Sequence, residues 1–391
     1  MKKENVLIVH NYYQIPGGED TVVANEKKML EDNGHKVILY SRNNSELKTM
    51  KKLQKILLPI NTIFSVRTYR EIKKCIKKNN IDIVHVHNTL NLISPSVYYA
   101  ALSCKVPVVQ TIHNFRLLCP AATFYRDNHI CEDCIKYGLK CAIRHNCYRN
   151  SKIQTLACVI TLKIHRFLEV YRKINYICLT DFNKEKLLQL NNNSKQVITS
   201  SKVFVKSNFI DMNEKEFLQK QRKNQFIFVG RLDKLKGIDI LLNAWTNIKN
   251  VDLVICGIGP EEEWCRSFIK ENNMTNVQMM GFISNDKVID MISESKALIL
   301  PTQWYEGFPM TIIESLACGT PVIASNIGNV GDLIKDRING LRFNFDSIED
   351  LRKKIYEIND MYESSRNYYE EHYTKEQNYK ELVSIYSSIR R

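Results

Sequence analysis

Two glutamates with seven residues between them, Glu306 and Glu314, bracket the stretch Glu306-Gly307-Phe308-Pro309-Met310-Thr311-Ile312-Ile313-Glu314. Pro309 suits the first position of a helix and Cys318-Gly319 closes it, which puts Glu306 in the preceding loop and Glu314 inside the helix. A helix start here offers free N–H groups near Gly307 and Phe308 to an anion, while Glu314 can accept hydrogen bonds from sugar hydroxyls, as an acidic residue does at a ribose in dinucleotide sites. Two unrelated surface glutamates share that spacing. A second motif points to the same chemistry: Gly230-Arg231 follows an apolar run, and Lys236-Gly237 precedes a helical pattern at 239–245. A glycine turn, two cations within six residues and a helix start suit a diphosphate, although a solvated basic loop has the same composition.

Three further groups could do chemistry. Pro16-Gly17-Gly18-Glu19 opens a helical pattern after the first apolar run. It resembles a phosphate-cradling loop without the full dinucleotide fingerprint or the P-loop Lys-Ser/Thr. His113 stands at the end of an apolar run, a position suited to touching substrate, whereas His85 and His87 alternate on one strand face and read as structural. Five cysteines, Cys119, Cys131, Cys134, Cys141 and Cys147, fall within 29 residues. One C-x2-C pair with flanking Cys119 and Cys147 could build a four-thiolate zinc site, and buried unmetallated thiols are the competing reading.

These residues need a frame to hold them. Short apolar runs alternate with longer amphipathic stretches throughout, the pattern of an α/β protein with buried parallel strands. Strands are expected at 6–9, 36–40, 83–86, 106–111, 176–180 and 202–206, and again at 226–229, 252–256, 277–280, 297–300 and 321–324. Helices are expected at 21–33 and 151–173, and the tail from 347 to 391 is helical in pattern. Ten of 14 glycines lie between Gly230 and Gly340, where backbone must approach a ligand at the carboxyl ends of strands.

The chain has 391 residues, 44% hydrophobic and 25% charged, which fits about two globular domains and excludes fibres and disorder. Up to residue 210, 33 Lys and Arg face 15 Asp and Glu; after it, 23 face 27. The basic excess is therefore N-terminal and points to an anionic partner there. Lys48, Lys51, Lys52 and Lys55 interleave with Leu47, Met50, Leu53, Ile56, Leu57 and Leu58, a pattern that fits either an anionic bilayer surface or a packed helix with solvated lysines. No apolar run reaches the length of a span, and the N-terminal run is too short for a signal peptide. The expected location is the cytoplasm, peripheral to the inner face of the cell membrane.

The ordered set Gly230-Arg231-x4-Lys236-Gly237, Gly257-x-Gly259, 277–282, Glu306-x7-Glu314, Gly319-x-Pro321-Val322-Ile323-Ala324 and Asn339-Gly340 closely resembles glycosyltransferase family 4, retaining enzymes of the GT-B fold. The resemblance implies two Rossmann-like α/β domains: 1–207 on the acceptor side with a Cys-rich insert at 119–147, a linker at 208–224, a nucleotide-sugar domain at 225–370, and a C-terminal helix at 371–391 packing back on the first domain. It implies that Arg231 and Lys236, with Gly17, Gly18, Gly307 and Phe308, hold the donor diphosphate. It assigns Glu306 and His113 to the transferred sugar and Glu314 to the ribose. The implied activity is retaining transfer from a nucleotide-diphosphate sugar to a glycan or lipid-linked glycan, in surface polysaccharide assembly. Fixed cations serve in place of a catalytic metal, since no Asp-x-Asp is present, and zinc would be structural only. A GT-B phosphorylase or sugar-nucleotide epimerase is the alternative. A zinc-containing nucleic-acid-binding protein is disfavoured, because 119–147 does not match the two-Cys, two-His finger spacing and no recognition-helix pattern is present.

Overall fold

The structure is a computed structural model that describes residues 3–14, 17–192, 196–212 and 220–390. Pro16 and residues 213–219 of the expected linker lie outside the described residues. The chain divides into two units, Met1–Ser207 with Asn378–Arg391, and Asn208–Gln377.

The first unit is built on strands β1 (Asn5–Tyr12), β2 (Lys36–Asn43), β3 (Ile83–Val86), β4 (Val108–Ile112), β7 (Asn175–Cys178) and β8 (Val203–Val205), with a small hairpin of β5 (Tyr125–Arg126) and β6 (His129–Ile130). The six long strands form one parallel sheet in the order β2-β1-β3-β4-β7-β8. Helices cover the sheet, so β1, β3 and β7 carry continuous buried runs such as Val6-Leu7-Ile8-Val9, each 0% exposed. Helix α1 (Gly18–Asp32) follows β1, with Gly17 at its N-cap. Helices α2 (Lys52–Ile63), α3 (Val66–Asn79) and α4 (Lys152–Phe167) follow. The helix expected to run to Lys173 breaks after Phe167, because Glu169 adopts a left-handed φ of 57°.

The second unit repeats the plan with β9 (Gln225–Val229), β10 (Asp252–Cys256), β11 (Val277–Gly281), β12 (Ala297–Leu300), β13 (Val322–Ser325) and β14 (Gly340–Phe343). They form a parallel sheet in the order β11-β10-β9-β12-β13-β14. Alternation along β9 decides its faces: Ile227 joins Val254, Leu298 and Leu316 in one apolar layer, while Phe226 and Phe228 join Trp245, Leu253 and Ile255 in the other. Edge strand β14 has no counterpart among the expected strands, since exposed Arg342 interrupts its short apolar run. Helix α5 (Ile238–Trp245) follows β9, and α6 (Met310–Ala317) follows β12.

The last helix, α7 (Lys375–Ile389), crosses the division between the units at Gln377/Asn378. Within the first unit, its Tyr386 hydroxyl lies 2.7 Å from His85 Nδ1, and Asn378 Oδ1 accepts from Lys206 Nζ at 2.9 Å. Residues 208–212 and 371–377 belong to the second unit, so its boundaries enclose part of the stretch read as linker and the start of the stretch read as the final helix.

Candidate active site

In the second unit the site grows from the carboxyl ends of β9, β10 and β12. The Gly230 amide donates to Cys256 O at 3.0 Å and Gly257 to Gly281 O at 2.8 Å, tying the loops after β9, β10 and β11 together. Gly257 has φ 142°, and a Cβ there would lie 1.8 Å from Gly230 O, so only glycine permits this approach. The next turn is capped by Asp233, whose side chain accepts from the Lys236 amide at 3.0 Å and pairs with Arg231 Nε at 2.7 Å. Gly237 then takes φ 70° against Pro301 O.

That contact stitches the turn to the loop after β12, where Gln303 N donates to Leu235 O at 2.9 Å. Lys236 Nζ consequently reaches Glu306 Oε2 at 2.6 Å. Glu306 is 5% exposed, and its other oxygen, Oε1, is buried with no hydrogen-bond partner. An ionised oxygen left so costs about 1–3 kcal/mol or more, which a donor from a bound molecule would recover. Asn329 Nδ2 donates to the Glu306 and Gly307 carbonyls at 2.6 Å each, fixing the loop. Pro309 is the N-cap of α6 rather than its first residue, so Met310 and Thr311 supply the helix's first amides beside Gly307 and Phe308. Glu314 lies half-buried inside α6, and burial raises its pKa.

A cavity of about 400 Å³ opens beside Gly230 and Arg231, walled by Ile258, Phe282, Ile283 and Val288. Phe282 is 80% exposed and Ile258 52%, unusual for large apolar side chains at a loop edge. Sequence reasoning gave these residues no role. Their signal was available: each directly follows a glycine that ends or follows a strand.

In the first unit, Gly17 and Gly18 are exposed at the start of α1, but Asp20 already accepts from the Gly17 amide at 3.1 Å. Glu19 stands beside them, its carboxyl pushed up to about 8 by burial, with the Tyr13 hydrogen bond opposing. His113 follows β4 and lines a cavity with Asn114, Arg116, Thr89 and Tyr98. His87 is in the same cavity, its Nδ1 3.0 Å from His113 Nε2. His85 is bonded on both nitrogens, and His87, although buried, lies against the candidate site residue His113.

The four cysteines of the expected zinc set lie close enough to act on one another electrostatically. A tetrahedral thiolate site with Zn–S of about 2.3 Å needs sulfurs under roughly 4 Å apart. Among the described residues, the one group of three or more such ligand atoms lying mutually within 4.8 Å is Glu26, His85 and His87. Cys119, Cys131, Cys134 and Cys147 are free thiols that do not meet this geometry. Cys134 and Cys147 instead pack on a small apolar cluster of Leu139, Ala142, Val159 and Leu162. Burial pushes the Cys134 thiol up to about 12.

Residues 210–375 match the family Glycosyl transferases group 1, and residues 16–130 match Glycosyltransferase Family 4. An uncharacterised glycosyltransferase of Methanocaldococcus jannaschii is 26% identical over 90% of this chain and 88% of its own length. An uncharacterised 41.2 kDa protein in the cps region of Klebsiella pneumoniae is 25% identical over 97% and 99%. The Anabaena HepE structure in complex with UDP superposes with a TM-score of 0.67 at 14% identity, covering 98% of this chain and 100% of that one. Fold and comparisons together define a GT-B enzyme that transfers glycosyl groups. The chain belongs to the glycosyltransferases of the family 4 type.

Proposed function

We propose that the protein transfers a sugar, with retention of configuration, from a nucleoside-diphosphate sugar to a lipid-linked glycan in surface polysaccharide assembly. The observation that carries the donor reading is the Glu306–Lys236 pair: one carboxylate oxygen is held by a cation, and the other is buried with no partner, an acceptor that a sugar hydroxyl would satisfy. Lys236, Arg231 and the first amides of α6, beside Gly307 and Phe308, then take the charge of the leaving diphosphate, so transfer is expected without an added metal ion. Gly17 and Gly18 keep a supporting role at the phosphates, Glu314 binds the ribose, and His113 contacts the transferred sugar. The apolar cavity beside Gly230 takes the base, with Phe282 as its stacking face. UDP bound to the Anabaena relative supports a uridine donor.

The acceptor reading rests on helices α2 and α4. Ile56, Ile60, Ile153 and Phe167 are exposed by 62% to 77%, and Lys51, Lys52, Lys55, Lys152 and Lys163 are exposed on the same two helices or at their starts. Apolar side chains flanked by lysines suit an anionic bilayer holding a lipid-linked substrate. A groove of about 400 Å³ lined by Lys55, Leu58, Arg149 and Ile153 shares Thr62 and Cys158 with the His113 cavity. No helix among the described residues is long and apolar enough to cross a membrane. The resemblance to a protein in the cps region of Klebsiella pneumoniae supports the polysaccharide assignment.

The test is a panel of nucleotide sugars scored for slow hydrolysis and thermal stabilisation, with Glu306→Gln as control. The expected result is one favoured donor whose turnover falls about 100-fold in the variant. Full turnover by Glu306→Gln would sink the site.

A further inference from the structure

The ends of β1, β3 and β4 carry a cluster of imidazoles that the transfer chemistry above does not absorb. His10, His85 and His87 are 0–3% exposed, and Glu26 of α1 is 1% exposed against them. The rings of His85 and His87 stack at 4.4 Å, and those of His87 and His113 at 5.3 Å. Glu26 Oε1 lies 2.9 Å from His85 Nδ1 and 3.5 Å from His87 Nε2, while Lys206 Nζ reaches Glu26 Oε2 at 3.4 Å. A cation held by Glu26, His85 and His87 would face that buried ammonium, and both His85 nitrogens already have hydroxyl partners. The cluster is therefore read as a chain of polar contacts and not as an ion site.

Proton bookkeeping along it has one solution. Burial favours a neutral Glu26, but His85 and Lys206 outweigh it and hold the carboxyl well below its usual range, so Glu26 is an acceptor only. His87 Nε2 and Glu26 Oε1 have no hydrogen-bond partner elsewhere and face each other at 3.5 Å. A lone pair facing a carboxylate in a dry interior is repelled, so His87 Nε2 carries the proton. Burial, with His85 adding to it, lowers His87 to about 4, and burial with His87 holds His113 well below its ordinary value. Both rings are neutral and have one proton each. His87 Nδ1 is thus a bare acceptor, and across 3.0 Å the proton must come from His113 Nε2.

We propose that Glu26 and His87 form a buried relay that locks His113 in its Nε2–H tautomer, leaving His113 Nδ1 as a hydrogen-bond acceptor for a hydroxyl of the bound sugar. His87 is then a positioning residue acting through His113, and Glu26 fixes His87. This rests on the reading that His113 contacts the transferred sugar. A locked neutral acceptor favours a hydroxyl at that position of the donor and disfavours a carboxylate.

Full-length protein labelled with [15N]histidine, examined by long-range 1H–15N correlation at pH 7, reads the tautomer directly, and His113→Ala identifies the ring. Expected is a protonated Nε2 and a bare Nδ1 on His113. His87→Phe, which keeps a ring and removes its nitrogens, should give mixed tautomers and lower donor turnover about tenfold with the melting temperature as control. His87→Asn, which restores an acceptor oxygen near the Nδ1 position, should recover the pattern and part of the turnover. A wild-type His113 protonated on Nδ1 overturns the proposal, as does an unchanged tautomer ratio in His87→Phe. If His87→Phe does not fold, the wild-type spectrum still decides. Full turnover by His113→Ala together with the expected spectrum would remove the sugar contact and leave the relay standing.

Discussion

At the scale of single residues, the buried imidazoles make a prediction about acid. His87 is neutral in the folded state because burial lowers its pKa to about 4 from the usual 6.5, with Glu26 opposing and His85 and His10 adding to the shift. The unfolded chain therefore binds a proton that the folded one refuses between those values, so stability is complete above pH 6.5 and is lost as pH falls toward 4. Thermal melts at pH 7.5, 6 and 5 should show this fall, and His87→Asn should flatten it; parallel curves would argue against a buried neutral His87. At the base cavity, Phe282→Ala should weaken UDP binding about tenfold, the value of one stacked base, while leaving the fold intact because the ring is exposed. Calorimetric titration with UDP checks it. The local structure around the proposed donor residues was legible because its cues are local: Pro309 and Gly319 mark the helix ends, and Gly237 marks the turn. The relay was not, because Glu26 sits in a polar helix far along the chain from His85 and His113, and only the sheet order β1-β3-β4 brings them together.

At the scale of elements, helices α2 and α4 and the cysteine segment show what patterning can and cannot carry. The lysine-apolar interleaving at 48–58 marked α2, but the exposed apolar side chains of α4 became visible only once the burial of its other face was known. Replacing Ile56 and Phe167 by Ser, or Lys52 and Lys55 by Glu, should each reduce sedimentation with anionic vesicles several-fold, with the second loss alone mimicked by raised salt. Equal binding by all variants would deny these helices a membrane contact. The strands were largely readable since buried parallel strands are bare apolar runs; β14 escaped because one exposed arginine breaks its run. Cysteine spacing pointed to a zinc set whose thiols, across a turn and a hairpin, come near enough to act on one another electrostatically without meeting at ligating distance.

At the scale of the whole molecule, the second unit is one continuous stretch of chain, whereas the first is assembled from two pieces, 1–207 and 378–391. The second piece is no ornament: Tyr386 meets His85, Asn378 meets Lys206, and Arg390 bridges Glu4 and Asp82. A fragment spanning 208–377 should fold cooperatively by itself and bind UDP. A fragment ending at 207 should be poorly folded, regaining cooperative melting when 378–391 is fused back through a flexible linker. Failure of the fused form to improve on the truncated one would deny the tail its role. The consequence reaches to how the protein is made. On a ribosome the unit bearing His113 cannot be completed until residues 378–391 have emerged, and by then the whole of the unit bearing Glu306 has been made.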